Sequence, residues 1–380
     1  MTSHALRPGT LARELLSSSR RSTSVPRGDI AHLDAGDPDF ETPAHIRRAL
    51  ADAVESGATH YSGPFGDPRL RALLAERLSR RGAARFDESQ VIVTHGGSGG
   101  LGAAFLACLD RGDRVVIPDP TYSLYADQVR LAGGVPVFVR LDMDFRLDIE
   151  ALDAACRGAR MLVVCNPCNP TGVVFRADEM EAIGRIACEH DLLVLVDEAY
   201  DAIVFEGTRF VSGLEVDALA ERLLYCNTFS KTYAMTGWRI GYVAAPSELA
   251  HAVGKMHVTL HGPMNTAVQR AAIAALTGPQ DCVDTMVREY ARRREILLEH
   301  MHGVPGVEVC EPQGTFYAFL RYPQHVDSVT MRQRALDAGV SVRPGSEFGD
   351  GGEGHLRLAF TADEATLETG LARLHSLLTS

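Results

Sequence analysis

Between about residue 90 and residue 245 the chain repeats one unit, a short apolar run followed by a stretch with helical spacing. The runs are VIVTH (91–95), RVVIP (114–118), VPVFV (135–139), MLVVC (161–165), LLVLVDE (192–198) and RLLYC (222–226). A strand that is apolar at successive positions is buried on both faces, and the helices between such strands cover those faces. The pattern predicts an α/β fold with a mainly parallel sheet. Beyond about residue 265 helical stretches take over at 266–277 and 281–302, followed by TFYAFL, VSVRP and HLRLAF. These read as a smaller α+β domain.

A chain of 380 residues, 46% hydrophobic and 23% charged, suffices for a large core and two domains. Its net charge of −11 opposes binding to nucleic acid or to an anionic membrane surface. The dense basic run, Arg292 to Arg294, reads as a solvated helix face. No apolar run has signal-peptide or membrane-span length, so a cytoplasmic location is expected. Eight cysteines scattered through apolar segments suit buried thiols in a reducing compartment. Cys165 and Cys168 form a C-x-x-C without a second pair at zinc spacing. His257 and His261 lack the glutamate of a zinc-protease helix, and no metal is expected.

Of the 38 lysines and arginines, only Lys231 and Lys255 are lysine. Lys231 sits in NTFSKTYAMTGWRIGY (227–242). A lysine can lose its proton and form an imine with an aldehyde, which an arginine cannot, although chance retention would leave the same trace. A G-x-G-x-x-G at Gly97, Gly99 and Gly102 follows a strand and opens a helix, with Asp119 about twenty residues on, as in a dinucleotide fingerprint. Free N–H groups at a helix N-terminus serve any phosphate, that of pyridoxal phosphate included. A Gly-rich turn without a ligand is a third reading.

The downstream motifs bear on that choice. NPCNPTG (166–172) carries Asn166 and Asn169 on a proline-stiffened loop at the end of a strand. Asp197 and Glu198 end an apolar strand, where a carboxylate is costly unless it meets a cation. A pyridinium N–H would satisfy Asp197, and Tyr200 is placed to donate to a phenolate oxygen. Ser230, Lys231 and Arg239 add an amine and a phosphate clamp.

Taken in order, these motifs resemble the fold-type I pyridoxal-phosphate enzymes, specifically the class I/II aminotransferases similar to aspartate aminotransferase. The resemblance runs from LDAGDPDFETP (33–43) through HYSGPFGDPRLRALLAERL, the Gly-rich turn, PDPTYSLY, NPCNPTG, VDEAY and FSKTYAMTGWRIGY to HLRLAF (355–360). It implies a large cofactor-binding domain at 38–265, a small domain at 266–380, and an N-terminal segment, 1–37, packed with the small domain. The implied activity moves an amino group from an L-amino acid to a 2-oxo acid. Relatives that share these motifs catalyse elimination, cyclisation or oxidation instead.

The resemblance also implies roles. Lys231 holds pyridoxal 5′-phosphate as an imine and then moves the proton at Cα. Asp197 keeps the pyridine nitrogen protonated, Asn169 and Tyr200 bond the ring oxygen, and Tyr122 stacks on the ring. The phosphate takes Gly97, Ser98, Gly99, Thr228, Ser230 and Arg239. Tyr61 reaches it from the neighbouring subunit of a homodimer. Arg357 grips the substrate α-carboxylate, with Gly36 and Asn169 beside it. The N-terminal arm is expected to be short. In strict aspartate aminotransferases an arginine of the neighbouring subunit grips the distal carboxylate, and counting back from Pro263 puts His257 near that position. No arginine lies between Lys255 and Pro263, so aspartate is not expected to be the uniquely preferred donor.

Overall fold

The computed structural model describes residues 8–16, 28–82 and 84–379. Much of the N-terminal arm therefore lies outside the described residues. Seven strands form the central sheet: β1 (Val91–Thr94), β2 (Arg114–Asp119), β3 (Val135–Arg140), β4 (Met161–Cys165), β5 (Leu193–Asp197), β6 (Leu223–Thr228) and β7 (Gly241–Ala244). Their order is β1-β7-β6-β5-β4-β2-β3. Every neighbouring pair is parallel except those of β7, which runs antiparallel to both β1 and β6.

The six expected strands all form, and β7 is the addition. In β4, β5 and β6 every residue is buried, because helices cover both faces of the sheet. β3 lies at the edge, is largely open on one side, and there tolerates Pro136. Two helices lie beside β1: α1 (Gly96–Cys108), which leaves it, and α2 (Ser247–His261), which packs against α1.

The C-terminal part has its own antiparallel sheet. β8 (Glu308–Cys310), β9 (Tyr317–Arg321), β10 (Arg343–Pro344) and β11 (His355–Ala359) pair in the order β10-β11-β9-β8. Helices α3 (Asp281–Met301) and α4 (Glu364–Thr379) contribute Leu297, Met301, Leu367, Leu371 and Leu374 to a core shared with Phe316, Leu320 and Leu358. The helix Thr266–Thr277 sides with the central sheet instead, through Ala271, Ala272, Ile273 and Ala275. Ala31 and His32 add a parallel pair to Val340 and Ser341, and Leu33 enters the C-terminal core. Among the described residues no helix is long and apolar enough to cross a membrane.

The arginine run overturns the expectation of a solvated face. Arg293 is 4% exposed; its guanidinium reaches both Asp39 oxygens at 2.9 Å, the Thr361 carbonyl at 2.9 Å and, through Nε, Glu289 at 3.0 Å. Arg294 donates to the Pro312 carbonyl and covers the Phe205 ring. Only Arg292 of the three is half-exposed, and it pairs with Glu364. The carboxylate that draws Arg293 inward lies near the other end of the chain, where local spacing gives no sign of it.

Removing one partner of a buried charge leaves part of its desolvation uncompensated. Asp39→Ala is therefore expected to lower stability by about 2 kcal/mol, read as a lower urea midpoint. An unchanged midpoint would mean that Glu289 and the Thr361 carbonyl suffice for Arg293.

Candidate active site

A cavity of about 420 Å³ opens where the C-terminal ends of β4, β5 and β6 face the second sheet. Its deep wall carries Asp197, the last residue of β5. The carboxylate is buried; Oδ2 accepts from the Tyr125 hydroxyl at 2.8 Å and Oδ1 from the Ala199 N–H at 3.1 Å. Burial raises its pKa, against the pull of those two hydrogen bonds and of Lys231. A buried carboxylate placed this way calls for a cation or an N–H donor from whatever fills the cavity.

Glu198, one residue on, points to the other side of the strand, as strand alternation requires. It does not line the cavity; it takes the Ser212 hydroxyl and the Gly213 N–H at 2.7 Å. Burial pushes its pKa up to about 8.

Lys231 lies just after β6, in the short helix Phe229–Thr232 capped by the Thr228 hydroxyl. Its Nζ donates to the Gly36 carbonyl at 2.6 Å. Burial lowers its pKa, with Tyr317 and Asp37 opposing and Arg357 and Arg239 assisting. Gly36 must be glycine here, since a Cβ would collide with the Tyr317 hydroxyl.

The anion end of the cavity is formed by α1. Gly96 takes φ +68°, and a Cβ there would meet Arg239 Nη2 at 2.6 Å. Gly97 and Ser98 line the cavity at the N-terminus of this helix, where free N–H groups gather. Arg239, held in the left-handed region at φ 54°, donates to Ser98 Oγ at 3.2 Å. Thr228 and Ser230 add hydroxyls 2.8 Å apart on the same wall. Gly99 lies outside the lining, against His95.

On the opposite side stands Arg357 of β11, buried between the rings of Tyr317 at 4.2 Å and Phe348 at 4.8 Å. It donates to Asn169 Oδ1 at 3.1 Å and to the Asp34 carbonyl at 2.7 Å, while its buried Nε has no partner among the described residues. Asn169, Tyr122 and Tyr200 complete the wall; the Tyr200 hydroxyl donates to that of Tyr317 at 3.2 Å. Asn166 stays out of the cavity and braces its loop through the Phe175 N–H and the Val211 carbonyl.

Tyr61 and His257 do not line this cavity. Tyr61 is 92% exposed and is not among the residues that line the cavity of its own chain. His257 is completely buried, its ring stacked on His95 at 5.1 Å, so it does not present itself to another subunit. Sequence reasoning missed Tyr125, Tyr317, Glu347 and Arg343, all of which line the cavity. Tyr125 alone left a signal: it stands three residues beyond Tyr122, one helical turn on.

The donor set fits a phosphorylated pyridine aldehyde: a cradle for a phosphate, a buried carboxylate for a ring nitrogen, and an amine of lowered pKa between them. The orphaned Arg357 Nε leaves room for a carboxylate partner.

Comparison with known proteins agrees with that fit. The family model described as aminotransferase class I and II matches residues 28–374. The aspartate/prephenate aminotransferase of Thermus thermophilus is 37% identical over 357 residues, covering 92% of this chain and 91% of its own. An aromatic aminotransferase structure from Pyrococcus horikoshii superposes with a TM-score of 0.89 at 35% identity, over 93% of this chain and 96% of that one. The Thermus thermophilus aspartate aminotransferase with maleate gives 0.88 at 35% identity, over 98% of each chain.

The fate of Glu198 is testable through stability. With its pKa raised from 4.5 to about 8, the fold favours the neutral acid. That contribution is full below the ordinary carboxylate range and is lost as pH rises through the folded value. The apoprotein should therefore lose up to about 4 kcal/mol between about pH 5 and pH 8, read as a falling urea midpoint. Glu198→Gln can keep both hydrogen bonds and should flatten this slope, leaving only what the raised pKa of Asp197 contributes. A wild-type midpoint level across the range would mean that Glu198 is charged in the fold.

Proposed function

The chain belongs to the class I and II aminotransferases, pyridoxal-phosphate-dependent enzymes that move amino groups from amino acids to 2-oxo acids, and we propose that Lys231, Asp197 and Arg357 carry that chemistry here. The carrying observation is their convergence: an amine, a buried carboxylate and a guanidinium from distant parts of the chain line one cavity. When bound, pyridoxal 5′-phosphate supplies an aldehyde carbon and an electron-accepting pyridine ring.

Lys231 would hold that carbon through Nζ and, once released, move the proton at the substrate Cα; its lowered pKa favours the neutral amine both tasks need. Asp197 would keep a proton on the ring nitrogen, with Tyr125 and the Ala199 N–H fixing the carboxylate. Asn169 and Tyr200 would donate to the ring oxygen, and Tyr122 would stack on the ring. The phosphate would take the N–H groups of Gly97, Ser98 and Gly99, the hydroxyls of Ser98, Thr228 and Ser230, and Arg239. Arg357 would grip the substrate α-carboxylate, with Gly36 and Asn169 beside it.

The same reading makes the enzyme a homodimer. Tyr61, exposed and outside the lining of its own cavity, would reach the phosphate of the neighbouring subunit. The division at 1–37, 38–265 and 266–380 is proposed with one adjustment. The helix Thr266–Thr277 shares the core of the central sheet, which favours a boundary just beyond it. A cytoplasmic location is supported by eight free cysteines. Fractionation of cells tests it, and recovery in a secreted fraction would refute it.

For the donor, we propose that aspartate is accepted without unique preference. Between Lys255 and Pro263 no arginine occurs, His257 is buried, and Arg343 on the cavity wall is paired with Glu347. The names of related enzymes are not confined to aspartate: one is an aspartate/prephenate aminotransferase and another an aromatic aminotransferase.

Three outcomes test this reading. Lys231→Arg should lose turnover by at least roughly a thousandfold, because its guanidinium stays protonated. Survival of activity would dismiss Lys231. In wild-type half-reactions, neutral or aromatic donors should match aspartate in kcat/KM; a preference for aspartate of about a thousandfold, roughly 4 kcal/mol, would reveal an unseen cationic site. Mixing Tyr61→Phe with Lys231→Ala chains should restore activity above the Lys231→Ala parent through heterodimers with one intact site. A fully active monomer in sedimentation would end that arrangement.

A further inference from the structure

The first turn of α1 is held from behind by an imidazole. His95, the residue between β1 and α1, donates its main-chain N–H to His257 Nε2 at 3.0 Å, and its Nδ1 lies 3.1 Å from the same nitrogen. His257 comes from α2 and is fully buried. Since Nε2 accepts, the hydrogen of the neutral ring sits on Nδ1. That atom is also buried, with no partner among the described residues. The His261 ring closes the group, 5.3 Å from His95 and 5.2 Å from His257. None of the three histidines lines the cavity.

Burying an imidazole with an orphaned N–H is unfavourable, so its acceptor nitrogen must do something a carbon would not. What it does is fix His95. That residue turns the chain from Thr94, through Gly96 at φ +68°, into the turn that carries Gly97 and Ser98. The histidines also abut that turn directly. A Cβ on Gly99 would meet His95 Cβ at 3.3 Å and lie within 3.9 Å of the Nε2 atoms of His261 and His257.

We propose that His257 is a positioning residue for the cofactor's phosphate: by accepting from His95 it sets the N-terminal turn of α1 without touching the ligand. This rests on reading that turn as the phosphate cradle. Burial pushes the His257 pKa down to about 3, His95 and His261 adding to the effect, so the acceptor stays neutral wherever the enzyme works.

Apoenzyme titrated separately with pyridoxal 5′-phosphate and with pyridoxal, which lacks the phosphate, tests the proposal. His257→Leu should bind the phosphorylated aldehyde about tenfold more weakly while changing pyridoxal affinity less than about twofold. His257→Gln carries an acceptor where Nε2 stood and should recover most of the loss; His257→Asn, with its acceptor nearer Nδ1, should not. Equal weakening of both aldehydes, or wild-type affinity in His257→Leu, overturns the proposal. If His257→Leu does not fold, equal phosphate discrimination by the Gln and Asn variants overturns it as well. A wild-type apoenzyme that binds neither aldehyde refutes the cofactor reading itself, which separates the two failures.

Discussion

Parallel strands end on the same side of a sheet, and this constraint collects the chemistry of the chain in one place. β4, β5 and β6 are adjacent and parallel, so the loop carrying Asn169, the end of β5 at Asp197 and the turn into Lys231 open on one edge. The antiparallel β7 reverses direction and β1 reverses it again. β1 thus points the same way as β6, and α1 presents Gly97 and Ser98 to the edge where Asp197 ends. Without β7 between them, the turn that carries Gly97 and Ser98 and the lysine would still share a direction but lie a strand closer.

The charges of the interior are each accommodated differently. Asp197 and Glu198 are neighbours on opposite faces of one strand; the first faces the cavity with two hydrogen bonds, while the second is enclosed by Ser212 and Gly213 and favours its neutral form. Arg293 is matched by carboxylates and a carbonyl. Arg357 is sheathed by Tyr317 and Phe348, whose faces favour a cation while leaving its edge open for hydrogen bonds. Of these four groups Asp197 and Arg357 line the cavity, and Arg357 keeps a buried Nε without a partner among the described residues.

Much of this is legible in the sequence because both-face burial makes a strand conspicuous. MLVVC, LLVLV and RLLYC could hardly be anything else, and the motifs that carry the chemistry follow at their C-terminal ends. β7 is less visible: GYVA is four residues long and follows the lysine segment without a break in composition. Tyr125, Tyr317, Arg343 and Glu347 join the cavity through tertiary contact, which no local spacing encodes. The arginine run misleads for the same reason, since Asp39 lies 254 residues from Arg293. Counting back from Pro263 places His257 near the position of the distal-carboxylate arginine but says nothing of its partner, His95, 162 residues away.

Residues 34 to 42 bond both to the C-terminal part of the chain and to the lysine segment. The Asp34 carbonyl takes Arg357, the Ala35 carbonyl takes Thr361, and Asp39 takes Arg293, all on the C-terminal side. Between and after them the Gly36 carbonyl takes Lys231, Asp37 takes Thr236, and the Ala234 carbonyl takes the Thr42 hydroxyl. The stretch behaves like a zip fastener whose teeth engage both sides of a seam. Losing or adding a single residue there would shift every later tooth out of register with its partner. This short segment, with little secondary structure of its own, is thus less free to change length than the helices around it.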